Sequence, residues 1–339
     1  MNNKFDFSLR ASIILIFLVI AAGATVRVTG SGMGCPDWPK CFGYIIPPTQ
    51  RVQLDWKSSV FYHKNEVIII EESLRVAKRD FKSGELFNEN NWAPYLKHDY
   101  AVFNVYHTWI EFINRLIGVI AGIATLSMLF FSIKFWKKNK IIVIGSLLVV
   151  MSMGFQAWLG KEVVDSNLLP LKITFHMIMA LAILALLIFI LHLTKNEKIC
   201  LKNNKKIVYI TLIGFILTLI QIFSGTQVRQ FIDLQMNEYP INHGLWLKFA
   251  PIKFYFHRSF SIIILVTHLY LFIEFYRNNF IPNALKVMIA TIGLEILTGV
   301  LMYYMNFPVS TQPIHLFLAT IIFSTQLYLL FQLTLTNKN

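Results

Sequence analysis

The sequence predicts an all-α membrane protein: eight transmembrane helices in two pseudo-symmetric four-helix bundles. Three observations carry that prediction. The chain of 339 residues is 55% hydrophobic and only 14% charged. Its apolar residues fall in runs of the length that a hydrocarbon core of about 30 Å requires. Its basic residues gather in alternate connections between those runs. Backbone polar groups in lipid must be satisfied within the segment, so runs of this length are read as helices.

The apolar runs are 11–26, 109–131, 141–159, 173–193, 207–224, 254–273, 287–305 and 314–334. The first is long for the apolar region of a signal peptide and shows no small-residue cleavage site, so it is read as a retained helix. The net charge of +13 could point to nucleic acid, but its distribution argues otherwise. Segment 134–140 holds Lys134, Lys137, Lys138 and Lys140, and segment 195–206 holds five Lys against Glu197, whereas 161–172 and 302–313 are neutral. This is the positive-inside asymmetry. It puts both termini in the cytoplasm and turns the connections after helices one, three, five and seven outward, in the bacterial inner membrane. Nucleic acid is not expected as a partner; membrane lipid is.

The longest outward connection, 29–105, includes FYHKNEVIIIEESLRVAKRDF and is expected to carry short amphipathic helices. It opens with GCPDWPKCFG, which holds Cys35 and Cys41. On an oxidising side of the membrane that pair is a structural staple, a redox disulfide or a thiol relay. Cys200 is read as a free cytoplasmic thiol.

The chain also repeats. GATVR (23–27) ends helix one and GTQVR (225–229) ends helix five. FINR (112–115) opens helix two and YFHR (255–258) opens helix six. Gly160 precedes His176 by 16 residues, and Gly299 precedes His315 by the same distance. Matches in the same order imply two parallel halves, 1–200 and 201–339, with the long outward loop inserted in the first.

Of nine histidines, His63, His98 and His243 fall in outer loops, and His192 fits a snorkelling position at the cytoplasmic end of helix four. His268 reads as a polar core contact. His107, His176, His257 and His315 form a set, each at the outer start of an even-numbered helix. Two imidazoles on facing helices suit the axial pair of a haem, and His257 with His315 is the better pair. Arg258 fits a haem propionate, and snorkelling to the outer headgroups is compatible with that role. In the first half Asn114 stands in the place of His257, and an amide is a poor ligand for haem iron. His107, two turns earlier on the same face, is the candidate replacement. This inequality suggests one fixed haem and one exchangeable or reacting haem. Glu111 has no counterpart in the second half and is a candidate for chemistry; a surface ion pair with Arg115 is the plainer alternative. Glu295, inside helix seven, is a second intramembrane carboxylate.

Together these residues resemble the haem A synthase family over the whole chain. The most specific features are the loop opening TGSGMGCPDWPKC, E-F-I-N-R at 111–115, F-H-R-S at 256–259 and the late His315. The resemblance implies an oxidoreductase acting on a CH group: it turns the C8 methyl of haem O into the formyl of haem A through a hydroxymethyl stage. It implies haem b held by His257 and His315 for electron transfer, and substrate haem in the first half with His176 on its iron. It further implies an essential Glu111, and Cys35 and Cys41 as a disulfide. On the first-half face His107, Asn114 and Arg115 would line the mouth of the substrate pocket, with Arg115 and Arg258 on propionates. The chain departs from the family pattern at Asn114, where many members have His, and in the loop 227–253, which has no Cys. The implied partners are a haem O synthase, an electron acceptor and, for an oligomer, a second copy. The rival classes are a dihaem b-type electron-transfer cytochrome and a haem carrier without chemistry.

Overall fold

The computed structural model describes residues 3–97, 101–195, 197–199, 201, 204–239 and 241–335. His98 and Cys200 lie outside the described residues. Eight helices are long and apolar enough to cross a membrane. They are α1 (Asn3–Val28), α2 (Val105–Ser132), α3 (Lys140–Asp165), α4 (Pro170–Lys195), α5 (Asn204–Glu238), α6 (Ile252–Arg277), α7 (Asn283–Tyr304) and α8 (Thr311–Thr334). Each predicted run falls on one helix.

One boundary moves far. α5 continues past Gly225 to Glu238, well beyond the apolar run that ends at 224. The continuation is polar, and an Arg229–Asp233 ion pair at i, i+4 (2.7 Å) supports it. Its end packs Ile232 with Trp246 and Phe307.

The loop after α1 corrects the expectation of amphipathic helices. It forms five short strands: β1 (Phe61–Tyr62), β2 (Val67–Ile70), β3 (Ser73–Ala77), β4 (Phe81–Lys82) and β5 (Trp92–Pro94). β2, β3 and β5 make an antiparallel sheet, and β1 pairs with β4. The physical reason is two-sided burial. Val67 and Ile69 pack with Cys35, Cys41, Phe42, Leu54 and Leu74. Ile68 packs with Tyr62, Ala77 and Trp92 on the opposite face. Alternation along a strand serves both clusters at once, so the run of branched residues shows no apolar–polar period. The β2–β3 turn places Glu71 (φ 48°) and Glu72 (φ 56°) in the left-handed region that tight hairpins use.

The helices and loop divide into two compact units, one of Met1–Ala21, Ile123–Met151 and Ala180–Asn339, the other of Ala22–Gly122 and Ser152–Met179. In the first, α7 packs on α8, and α5 packs on α6 and α8. Their core includes Ile207, Leu271, Phe275, Leu285, Met288 and Leu329. His268 is the core contact expected of it: it is fully buried, with Nδ1 2.7 Å from Ile264 O and Nε2 2.9 Å from Gln326 Nε2. His192 is also buried, against Tyr328 and Phe331. That corrects the snorkelling expectation, since aromatic side chains from α8 cover the ring.

Candidate functional site

The second half brings two histidines opposite each other. His257 on α6 and His315 on α8 have ring centres 6.4 Å apart. Each ring rests on a neighbouring helix where glycine leaves room. A Cβ at Gly225 would lie 3.0 Å from His257 Cε1, and one at Gly299 would lie 3.7 Å from His315 Cε1. Each Nδ1 meets a hydroxyl one residue before that glycine: Ser224 Oγ at 2.9 Å for His257 and Thr298 Oγ1 at 2.9 Å for His315. A fixed Nδ1 sets the plane of the ring and makes Nε2 the nitrogen that could meet a metal. Gln221 Nε2 donates to the His257 carbonyl at 3.0 Å. Glu295, whose partner the sequence does not name, reaches His315 Nε2 at 3.2 Å. Arg258 lies over the rings of Tyr255 and Tyr303, 5.3 and 5.7 Å from their centres.

The geometry fits a metalloporphyrin. Among the described residues no group of three His, Cys, Asp or Glu could hold a bare metal ion. Two imidazoles suffice where a macrocycle fills the other coordination positions. Metal–imidazole bonds of about 2 Å on each side, plus the rings behind them, separate ring centres by about 6 Å.

The first half repeats the frame with different groups. A Cβ at Gly160 would lie 3.3 Å from His176 Cε1, and one at Gly23 would lie 3.9 Å from Asn114 Oδ1. Asn114, rather than His107, therefore occupies the register of His257. Gln156, four residues before Gly160, stands as Glu295 stands to Gly299, with its Nε2 3.4 Å from His176 Nε2 and donating to the His176 carbonyl at 3.0 Å. The hydroxyls are missing: Ala22 and Leu159 fill the places of Ser224 and Thr298. Asn114 Oδ1 and His176 Nδ1 are buried without a hydrogen-bond partner.

Glu111 and Arg115 are tied to the disulfide loop. Gly34 lies directly on α2, where a Cβ would come within 2.3 Å of the His107 carbonyl oxygen, so glycine alone permits this approach. Thr108 Oγ1 donates to the Gly34 carbonyl at 2.8 Å. The amide of Cys35 donates to Glu111 Oε2 at 2.8 Å, and Arg115 donates to Glu111 Oε1. Arg115 also donates to the carbonyls of Asp37 (2.7 Å), Lys40 (2.9 Å) and Cys35 (3.1 Å). Its fork reaches the loop backbone as well as Glu111. Cys35 and Cys41 form a disulfide and so close the ring that Arg115 grips. Inside that ring Asp37 accepts the amides of Phe42 and Gly43. Burial raises its carboxyl above the ordinary carboxylate value, against the pull of those amides and of Arg115. Glu111 is 4% exposed, so the ion pair is buried rather than at the surface.

Ser224, Thr298, Gln221 and Gln156 are polar groups at the imidazoles that sequence reasoning missed. Their signal was position: each lies one or four residues before a glycine of the repeat.

Fold and site define a multi-pass helical membrane protein whose odd-numbered helices make room for polar side chains carried by the even-numbered ones. The chain belongs to the COX15-CtaA family of cytochrome oxidase assembly proteins, whose profile matches residues 8–82 and 87–327. It is 28% identical to a heme A synthase of Ehrlichia canis, over 93% of this chain and 89% of that one. It is 24% identical to a heme A synthase of the Wolbachia of Brugia malayi, over 93% and 92%. A heme A synthase of Shewanella oneidensis is 24% identical over 70% of this chain and 61% of its own length.

Proposed function

We propose that this protein oxidises the C8 methyl of haem O to the formyl of haem A, passing through the hydroxymethyl stage. The observation that carries the proposal is the pair of unequal sites on one repeated frame. The second half, with both imidazoles held at Nδ1 and 6.4 Å between their rings, suits a permanent haem b. The first half, with one imidazole and no hydroxyl support, suits a porphyrin that must enter and leave. When bound, haem b supplies one-electron transfer. His257 and His315 would hold its iron, and Arg258 would pair a propionate.

The chain's own part in the chemistry centres on Glu111. Its carboxylate is held by the Cys35 amide and Arg115 and is largely shielded from water. A carboxylate so fixed stabilises positive charge developing on the substrate side chain or accepts a proton from attacking water. Both termini are assigned to the cytoplasmic side and the disulfide loop to the outer side, in line with the lysine-rich connections. A haem O synthase is the upstream partner, and a separate electron acceptor completes the cycle.

The test is expression beside a source of haem O, purification in detergent, and identification of the extracted haems by chromatography and mass. Haem A or hydroxylated haem O together with haem B supports the activity. Haem B alone, with haem O supplied, overturns it in favour of an electron-transfer cytochrome.

A further inference from the structure

Among the described residues, the buried polar atoms without partners in the first half include Asn114 Oδ1, His176 Nδ1 and, beside the latter, Gln156 Oε1. Asn114 stands opposite Gly23 as His257 stands opposite Gly225. Its amide ends short of where an imidazole Nε2 would lie, and it is a poor ligand for haem iron. His107 is seven residues away on the same helix, about 10 Å along its axis. It has the wrong height to replace an imidazole in the register of Gly23. The side chain at the right height is thus a hydrogen-bonding group, free to present an acceptor or, with the amide turned over, two donors.

We propose that the first half holds its porphyrin iron on a single protein ligand, His176, and that Asn114 lines the open face, where its amide hydrogen-bonds a small exogenous ligand, water or a diatomic. This rests on the reading of the first half as a porphyrin site. It separates the two halves by coordination chemistry: the second is closed to small ligands, and the first is open to them. Asn114 is then a distal residue for the substrate rather than a lost ligand.

The test uses the full-length protein in detergent, titrated with haem B and read by optical and electron paramagnetic resonance spectra, then exposed to carbon monoxide when reduced and to cyanide when oxidised. The expected result is two haems, one low-spin and inert to both ligands, the other high-spin and reactive to both. Asn114→His should turn the second haem low-spin and cut its carbon monoxide binding at least tenfold. Asn114→Ala should keep it high-spin but weaken cyanide binding by up to about tenfold, the worth of one hydrogen bond. His107→Ala should change neither spectrum. A second haem that is low-spin and inert in the parent protein, or that becomes high-spin only in His107→Ala, overturns the proposal. Unchanged cyanide affinity in Asn114→Ala overturns the role of the amide. Binding of a single, inert haem instead overturns the porphyrin reading of the first half itself.

Discussion

The two halves place four side chains on four glycines, yet only one half fastens what it places. In the second, His257 and His315 each have a hydroxyl at Nδ1. In the first, His176 Nδ1 has no partner and Asn114 replaces an imidazole. The glycine register sets where a ligand can stand, and the residue just before the glycine sets how firmly it stands. On the function proposed above, the same frame serves a tenant that stays and one that passes through. Glu111 adds a further difference. It belongs to the first half alone, and the inserted loop holds it there.

The sharpest way to break this comparison is Glu111→Ala. Haem A formation should fall on the order of a hundred- to a thousandfold, while the reduced-haem spectrum of the second half stays intact. Normal haem A production would remove Glu111 from the chemistry. Next in size, Ser224→Ala and Thr298→Ala should each weaken haem b retention by about ten- to a hundredfold, measured by transfer to apomyoglobin. The mirror change, Leu159→Thr, gives His176 a hydroxyl in the place of Thr298 and should slow haem loss from the first half. Equal loss rates before and after would show that the hydroxyls do not set residence. A smaller, graded effect should follow the glycines. Gly225→Ala, where the new Cβ meets the ring at 3.0 Å, should perturb the low-spin signal more than Gly299→Ala at 3.7 Å. The smallest effect is electrostatic. Glu295→Gln copies the first half's Gln156 and replaces the carboxyl beside His315 by an amide. The haem b midpoint potential should shift by on the order of tens of millivolts, and an unchanged potential would show that this carboxyl is not coupled to the haem.

Hydropathy alone made the eight helices legible, because lipid permits little else for such runs. It stopped at residue 224 on α5 because Arg229 and Asp233 read as loop, although they pair on one helical face. The strands were hidden for a different reason. Val67, Ile68 and Ile69 are buried on both sides, so the period of two vanished, and the β2–β3 turn uses Glu71 and Glu72 where a hairpin signal would be Asn-Gly. At the site, the histidine set and Glu111 stood out because charged and polar groups are rare in such runs. Ser224 and Thr298 did not, since a hydroxyl inside an apolar helix usually bonds its own backbone. Only the fold shows an imidazole across from each. The partners of Arg115 were hidden in another way: its carbonyl contacts are contributed by a loop about 75 residues upstream, a contact that no local pattern encodes.

The length of α5 has a mechanical consequence. Ser224 and Gly225, which seat His257, are followed by an unbroken run of helix to Glu238. That run is about 20 Å of stiff rod. A tilt of roughly 5° about Ser224 would sweep its far end through about 2 Å. A spin label near that end would thus act as a pointer on a dial, magnifying small adjustments at the His257 seat into a displacement that can be measured from outside the bundle.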